Sequence, residues 1–406
     1  MKNLIIIGCG PKAIAIATKA HVLKNLGWDV PSIQIIDKYG PAANWDGTNG
    51  HTGGDTILGT TPLEDLGFPY ASPIDASVDQ EMLKYSYMAY KIDIGKYAEW
   101  VDRALYSPTH AMLADYYKWA VKKINAPLTI GSVTSISKNQ KEWIVEIEDK
   151  SGKKDFFAEG LLITGPGEPY KFPRENIAIE GERIFNGQNF WHNFHQFKDL
   201  QNAKIAVIGG GETSAGIVTG LLNVIDKSSN IEIVTQHPIL FTRNENWMEV
   251  MYFSAVMDWS ELSKQEKLEI IHHADRGTFS VAAKNLLDSA YNVSMKLGKA
   301  VRIEGINGKL ALVLYGNKGE RREDYDYIIE ATGFNPYSFI KLFKDKSLFE
   351  KPHSISERIE QDLSVKGISP KLHIPGLAAI EQGPGFPNLS CLGLLADRVL
   401  ASYIAK

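Results

Sequence analysis

One pattern occurs twice along the chain, and few folds accommodate it. The aliphatic run Leu4-Ile5-Ile6-Ile7 leads straight into Gly8-Cys9-Gly10-Pro11-Lys12-Ala13. Apolar residues then recur at Ile14, Ala17, Ala20 and Leu23, the spacing of a helix. Gly27 ends that segment, and residues 33–36 read as the next strand, closing on Asp37. The arrangement returns at residues 204–208, which run into Gly209-Gly210-Gly211-Glu212-Thr213-Ser214, a helix through Leu222 and a strand at 231–235. Each copy has the same tail. Residues 143–147, a turn at 150–153 and a strand from Phe156 lead to Leu161-Leu162-Ile163-Thr164-Gly165; residues 310–315, a turn at 316–319 and a strand from Tyr325 lead to Ile328-Ile329-Glu330-Ala331-Thr332-Gly333. Two β-α-β units, each closed by a hairpin and an aliphatic strand ending in Thr-Gly, predict an α/β chain with two Rossmann-like dinucleotide-binding domains and a small helical region for substrate. The expected division is 1–168 for the first part of one domain and 169–335 for the second, the latter with a helical cap at about 244–300. Residues 336–406 return to the first domain. Proline-containing stretches at 165–175 and 334–337 are the expected crossings.

A glycine turn of this kind lets the backbone approach a pyrophosphate at a helix N-terminus, where free N–H groups and the helix dipole favour negative charge. At the first turn Ala13 takes the third glycine position, and Asp37 is placed to accept hydrogen bonds from a ribose. Its distance along the chain exceeds the usual spacing of about 20 because residues 24–32 enlarge the connection. At the second turn, Gly209-x-Gly211-x-x-Ser214, the following strand closes on Thr235-Gln236-His237 without a carboxylate. A carboxylate there selects the free 2′-hydroxyl of NAD, and its absence leaves room for a 2′-phosphate. Arg243 is the nearest cation downstream, either a phosphate partner or a surface charge. The reading is FAD at the first turn and NADPH at the second, with electrons passing from nicotinamide to flavin.

The two cysteines, Cys9 and Cys391, lie far apart and offer no disulfide framework, no redox dithiol and no zinc site. A disulfide reductase is therefore excluded, and oxygen is the obvious acceptor for the reduced flavin. No metal is expected. With 44% hydrophobic and 23% charged residues and a net charge of -4, the chain is neither disordered nor built for broad attraction to nucleic acid or acidic lipid. No apolar run approaches the roughly 18 residues that span a bilayer. Four aliphatics at the start fall short of the ~7–15 of a signal-peptide core. A cytoplasmic protein acting on a small molecule, without a membrane or nucleic-acid partner, is the expectation.

At this level of detail the chain resembles the flavin-dependent N-hydroxylating monooxygenases of siderophore biosynthesis. Ser107-Pro108-Thr109-His110-Ala111-Met112-Leu113-Ala114-Asp115-Tyr116-Tyr117-Lys118-Trp119 is similar to the family's P-x-R-x-E-F-x-D-Y-x-x-W helix, with His110 for its arginine and Met112 for its glutamate. Residues 209–215 resemble its NADPH turn, Arg243-Asn244-Glu245 a segment beside substrate and nicotinamide, and Asp275-Arg276-Gly277-Thr278-Phe279-Ser280 its T-N-Y-S stretch, with Thr278 in the asparagine position. Ala331-Thr332-Gly333-Phe334 resembles A-T-G-Y. Residues 382–395, Asn44-Trp45 and the run 58–70 are especially like the mycobactin-type lysine N-oxygenases.

The resemblance implies site roles. Gly8, Gly10, Pro11, Lys12, Asp37 and Lys38 would hold the FAD adenylate half, with Thr164 and Gly165 at the strand end. Trp45 and His51 would lie near the flavin, and Pro387, Asn388, Leu389 and Ser390 would present a helix N-terminus to its ring. Gly209, Gly211, Glu212, Thr213, Ser214, Arg243, Thr332 and Gly333 would hold NADPH. Asn244 and Thr278 would orient the amine. The bland alternatives are that Trp45 belongs to the core and His51 to a loop. The implied chemistry is attack of an uncharged primary amine on a C4a-hydroperoxyflavin shielded from water. Relatives are dimers or tetramers, which implies a homo-oligomer. One departure bears on substrate. Where amino-acid hydroxylases of the family carry a lysine that pairs with the substrate α-carboxylate, this chain has Glu64, in Leu63-Glu64-Asp65-Leu66. A carboxylate does not pair with a carboxylate at neutral pH. That favours a decarboxylated amine, histamine first, then putrescine or cadaverine. L-lysine remains the alternative, with Glu64 a surface charge. Two other classes compete. A Baeyer–Villiger or sulfide-oxidising flavin monooxygenase would carry F-x-G-x-x-x-H, but Phe185-Asn186-Gly187 is followed by Trp191 at the histidine position. A non-enzymatic dinucleotide sensor would be expected to have degenerate glycine turns.

Overall fold

Aliphatic runs without alternation suit strands buried on both faces of a parallel sheet, and in the computed structural model, which describes residues 2–177, 182–242, 247–254, 257–275, 278–306 and 308–405, such runs take the central places. The first sheet runs in the order Lys371–His373, Gly160–Ile163, Asn3–Ile7, Ser32–Asp37, Leu128–Ile130, all parallel, with Leu4 opposite both Ile33 and Gly160. The second runs Ile184–Asn186, Tyr327–Glu330, Lys204–Ile208, Asn230–Thr235, Val293–Leu297, again all parallel. The fold is α/β with two Rossmann-like units, each glycine turn following a central strand.

The helix Pro11–Asn25 is buried along most of its length, and its alanines let neighbours approach closely. It packs on the last helix, Leu392–Leu400. Between them Lys19 Nζ lies 2.8 Å from Asp397 Oδ2, both side chains 1% exposed. Lys19 also donates to the Gly393 carbonyl, and Asp397 accepts the Ser72 hydroxyl. Removing one partner of such a pair costs ~3–5 kcal/mol because a buried charge is left uncompensated. The apolar core around the first sheet draws on both ends of the chain, with Leu4, Leu161, Leu372 and Leu392 all fully buried. The second sheet has its own clusters, including Phe185, Val207, Ile233 and Ile329.

Both expected hairpins are present, Trp143–Asp149 with Gly152–Ala158 and Lys309–Gly316 with Gly319–Tyr325. Each gains a third strand that periodicity did not reveal, Ser132–Lys138 and Lys299–Ile306. The stretch expected to be helical over 244–300 needs correction. Its described part holds the helices Trp247–Phe253, Lys264–Asp275 and Val281–Asp288, but Val293–Leu297 is the edge strand of the second sheet. The alternation Val293-Ser294-Met295-Lys296-Leu297 accounts for it, since period two suits a half-exposed strand better than a helix. The connecting segments run side by side, Glu168–Pro169 pairing antiparallel with Phe334–Asn335.

Candidate active site

The first turn is shaped by contact with the strand that ends in Thr-Gly. Gly8 has φ +99°, and a Cβ there would meet Thr164 Oγ1 at 2.2 Å. Thr164 itself donates to the Ile7 carbonyl at 3.0 Å, so its hydroxyl fixes the turn. Asp37 is engaged by backbone N–H groups: Cys9 at 2.8 Å on one oxygen, Tyr39 and Gly40 at 2.7 Å on the other. This ties the end of its strand to the turn. Lys38 is exposed and lies over the Tyr39 ring. Gly10 caps the helix without a side-chain hydrogen bond, Pro11 occupies its first turn, and a Cβ on Gly10 would meet nothing within 4 Å. Open space in front of uncapped N–H groups is what a diphosphate needs. Lys12 reaches the other way and donates to the Pro387 carbonyl at 2.6 Å, and burial lowers its pKa to about 8.

The second turn repeats the design with polar groups left open. Gly209 has φ +131°, and a Cβ there would stand 2.2 Å from the Ala331 carbonyl oxygen. Gly211 caps the helix Glu212–Leu222, again without a side-chain bond. The hydroxyls of Ser214 and Thr332 are buried and have no hydrogen-bond partner among the described residues. A buried, unpaired hydroxyl is costly unless a ligand completes it. Space at Gly10, Gly165 and Gly333, together with these two orphaned hydroxyls, fits dinucleotide groups at both turns.

The start of the second helix meets loops of the first unit at a cavity of about 290 Å³. Its wall includes Trp45, His51 and Asn388, Leu389 and Ser390 from the expected flavin set and Glu212 and Thr213 from the expected NADPH set. Asn388 Oδ1 accepts the Ser390 amide and Nδ2 donates to the Pro384 carbonyl, which sets the loop before the last helix. Trp45 meets His110 edge-on, ring centroids 4.9 Å apart. His51 stacks on Phe334, and burial, helped by His192, lowers its pKa. A larger, shallow hollow of about 490 Å³ at Asn139, Gln140, Lys141, Glu142 and Glu159 carries none of the expected residues.

Several wall residues were not assigned from sequence. Thr52, the stretch 56–60, His110, Trp191 and Gly216 also line the cavity. His110 opens the helix His110–Lys123, its Nδ1 3.1 Å from Thr52 Oγ1, and burial lowers its pKa to about 4. It is an uncharged imidazole where the resemblance places an arginine. Trp191 packs over Gly53 and Gly220. The density of glycines at 47, 50, 53 and 54 was an available signal of close approach.

Other expected residues are not gathered here. Glu64 does not line the cavity. The sequence argument for histamine needed its carboxylate on that wall and loses this support. Arg243 and Asn244 lie outside the described residues. Thr278 begins the short strand Thr278–Phe279, which pairs in parallel with Phe241–Thr242.

Comparison with known proteins accords with this arrangement. The family described as L-lysine 6-monooxygenase/L-ornithine 5-monooxygenase matches residues 1–336. The L-lysine N6-monooxygenase MbtG of Mycolicibacterium paratuberculosis is 34% identical over 422 aligned positions, covering 100% of this chain and 96% of that protein. The lysine monooxygenase NbtG from Nocardia farcinica superposes with a TM-score of 0.84 at 33% identity, covering 98% of this chain and 99% of that one. The ornithine N-hydroxylase KtzI of Kutzneria sp. 744, solved with reduced FAD, NADP+ and L-ornithine, shares the fold at 16% identity, with a TM-score of 0.74 and coverage of 99% and 98%. With two glycine-turn cradles, a cavity lined by residues of both units and relatives matched along its length, the chain belongs to the lysine/ornithine N-monooxygenase family and is an FAD- and NADPH-dependent N-hydroxylating enzyme.

Proposed function

We propose that this enzyme N-hydroxylates the side-chain amine of L-lysine, supplying a hydroxylamine for siderophore biosynthesis. The observation that carries the reading is the shared cavity wall, where Trp45, His51 and residues 388–390 face Glu212 and Thr213. The relatives matched over 96% and 95% of their length are L-lysine N6-monooxygenases, which supports lysine over histamine. The reaction takes a primary amine, NADPH, oxygen and a proton to the hydroxylamine, NADP+ and water. Bound FAD, reduced by NADPH, supplies the activated oxygen.

The chain's own residues bind, orient and exclude water. The first turn and Asp37 hold the FAD adenylate half, and Lys12 braces the 387–390 loop through the Pro387 carbonyl. The second turn, with the Ser214 and Thr332 hydroxyls, holds NADPH, and Arg243 takes its 2′-phosphate. Trp45, Leu58, Trp191 and the uncharged His51 and His110 form a part of the wall that brings no charge to an amine beside it, which favours the amine without its proton there. Asn244 and Thr278 orient that amine. Residues 1–168 and 336–406 act as the flavin unit, and 169–335 as the NADPH unit.

A panel of L-lysine, L-ornithine, cadaverine, putrescine and histamine, scored for hydroxylamine product instead of NADPH loss, tests the reading. Lysine is expected to give the highest kcat/KM. A decarboxylated amine at the top of the panel overturns the lysine assignment while leaving the N-hydroxylase intact.

A further inference from the structure

Two glycines, one from each unit, make room for the indole of Trp191. Trp191 opens the short helical turn Trp191–Phe197 and packs on its own unit against Phe190 and Phe194, ring centroids 5.0 and 5.1 Å away. From the first unit, a Cβ on Gly53 would stand 2.8 Å from the indole Cε3 and 2.9 Å from Cζ3. From the second, a Cβ on Gly220 would stand 2.8 Å from Cη2 and 3.1 Å from Cζ3. Both glycines lie outside the positive-φ region, so the indole and not backbone strain bars a side chain there. The six-membered ring of Trp191 thus packs against a loop of one unit and a helix of the other. The surrounding contacts are equally close. A Cβ on Gly50 would meet the Gln188 carbonyl oxygen at 1.9 Å, and one on Gly216 would lie 3.7 Å from Thr56 Oγ1. Thr52, Thr56, Trp191, Thr213 and Gly216, all from these segments, line the cavity. Gly216 and Gly220 are one turn apart on the helix Glu212–Leu222, whose start carries the second glycine turn.

Close-packed interiors transmit strain, so a push on this helix at Gly220 is carried to its start at the cavity wall. We infer that Trp191 is a positioning residue: its indole is the spacer between the two units and fixes where the second glycine turn, with the nicotinamide cofactor it holds, stands relative to the flavin. The inference rests on the use of FAD and NADPH and not on which amine is hydroxylated. The hydride that passes from NADPH to FAD carries both electrons, and Trp191 makes and breaks no bond. Such a transfer is sensitive to spacing, since a misplacement of ~1 Å can cost ~100-fold in rate.

A substitution on one side of the contact and its suppressor on the other test this. The FAD-loaded parent, Gly53→Ala, Trp191→Phe and the double variant are mixed with NADPH without oxygen or amine. Loss of flavin absorbance gives the limiting rate of flavin reduction and the NADPH concentration that half-saturates it, and flavin content and melting temperature are followed in parallel. Gly53→Ala pushes the indole from the first unit and is expected to lower the limiting rate at least ~10-fold, with half-saturating NADPH within ~3-fold of the parent. Trp191→Phe lacks the outer ring carbons, leaves a gap and is expected to lower the rate by a smaller factor. In the double variant the new methyl takes up that gap, so it is expected to reduce flavin faster than Gly53→Ala, with its melting temperature recovering too. The inference is overturned if the two single losses multiply in the double variant, or if Gly53→Ala reduces flavin at the parent's rate. A lowered melting temperature with an unchanged limiting rate also overturns it, because Trp191 is then packing alone. Gly220→Ala pushes the same ring from a helix where alanine is otherwise favoured, and it takes the place of Gly53→Ala with the same expectations should that variant lose its flavin.

Discussion

The imidazole of His51 stacks on the ring of Phe334, centroids 5.6 Å apart and planes 22° from parallel. His51 belongs to the loop after the first dinucleotide turn, and Phe334 follows Thr332-Gly333 at the end of the strand that closes the second. The stack therefore joins the two cofactor units at the cavity that His51 lines. Burial lowers the His51 pKa, so the contact is between two uncharged rings near neutral pH.

Replacing Phe334 by alanine removes that stack. Aromatic pairs contribute ~0.5–1.5 kcal/mol beyond the area they bury. We expect a loss of at least that size in denaturant unfolding, together with more NADPH consumed per hydroxylamine formed. Phe334→Leu keeps an apolar contact and is expected to fall between alanine and the parent.

The orphaned hydroxyls of Ser214 and Thr332 predict opposite effects on stability and binding. Ser214→Ala and Thr332→Val remove buried groups that lack partners, so the cofactor-free protein is expected to be unchanged or more stable. The same variants are expected to raise KM for NADPH by about 5- to 10-fold, the worth of one hydrogen bond of ~1–1.5 kcal/mol. FAD content serves as the control and stays at the parent level.

The glycines separate strain from cradle. Gly209→Ala forces a Cβ onto the Ala331 carbonyl in a backbone region that disfavours side chains, so it distorts the turn and lowers the melting temperature. Gly10→Ala meets no protein atom and sits at φ -88°. It is expected to fold normally and to lose FAD affinity by at least ~10-fold, measured by flavin release on dilution, because its methyl enters the space assigned to the diphosphate.

His373 predicts the pH profile of stability. It is fully buried between the Asp362 carbonyl at 2.8 Å and the Tyr403 hydroxyl at 2.7 Å, and burial lowers its pKa to about 4. With an ordinary value near 6.5 in the unfolded chain, the unfolded state binds more protons between those pH values. The contribution of His373 is thus complete above about pH 6.5 and is lost as pH falls toward 4, by up to about 3 kcal/mol. Urea unfolding from pH 7.5 to 4.5 is expected to show the decline, and His373→Asn to flatten it.

Much of the architecture was legible because two signals repeat. The runs at 4–7 and 204–208 are too aliphatic for edge strands, and each meets a glycine turn, so the pair of parallel sheets and both helix N-termini followed from the sequence. Short edge elements did not. Lys371–His373 is a three-residue strand flanked by Pro370 and Pro375, too brief to show a period, and it reaches the first sheet only through tertiary packing. Within the site, Trp45, His51, Glu212, Thr213 and residues 388–390 were found through resemblance. Trp191 and His110 had been marked only as departures from expected residues, and their place on the wall depends on folding that brings distant segments together. Glu64 shows the limit of local reading, since its chemistry was apparent from the sequence but not that it stands off the cavity wall.

The central claim is that the two cofactor cradles serve one cavity in which a lysine side chain receives an atom of oxygen. The most direct test is mass spectrometry of the product formed from L-lysine and NADPH under isotopically labelled oxygen gas. The account predicts lysine carrying one labelled oxygen on its side-chain nitrogen, formed only when FAD, NADPH and oxygen are all present. Lysine recovered unchanged while NADPH is consumed and only peroxide accumulates would contradict it, as would product whose oxygen comes from water.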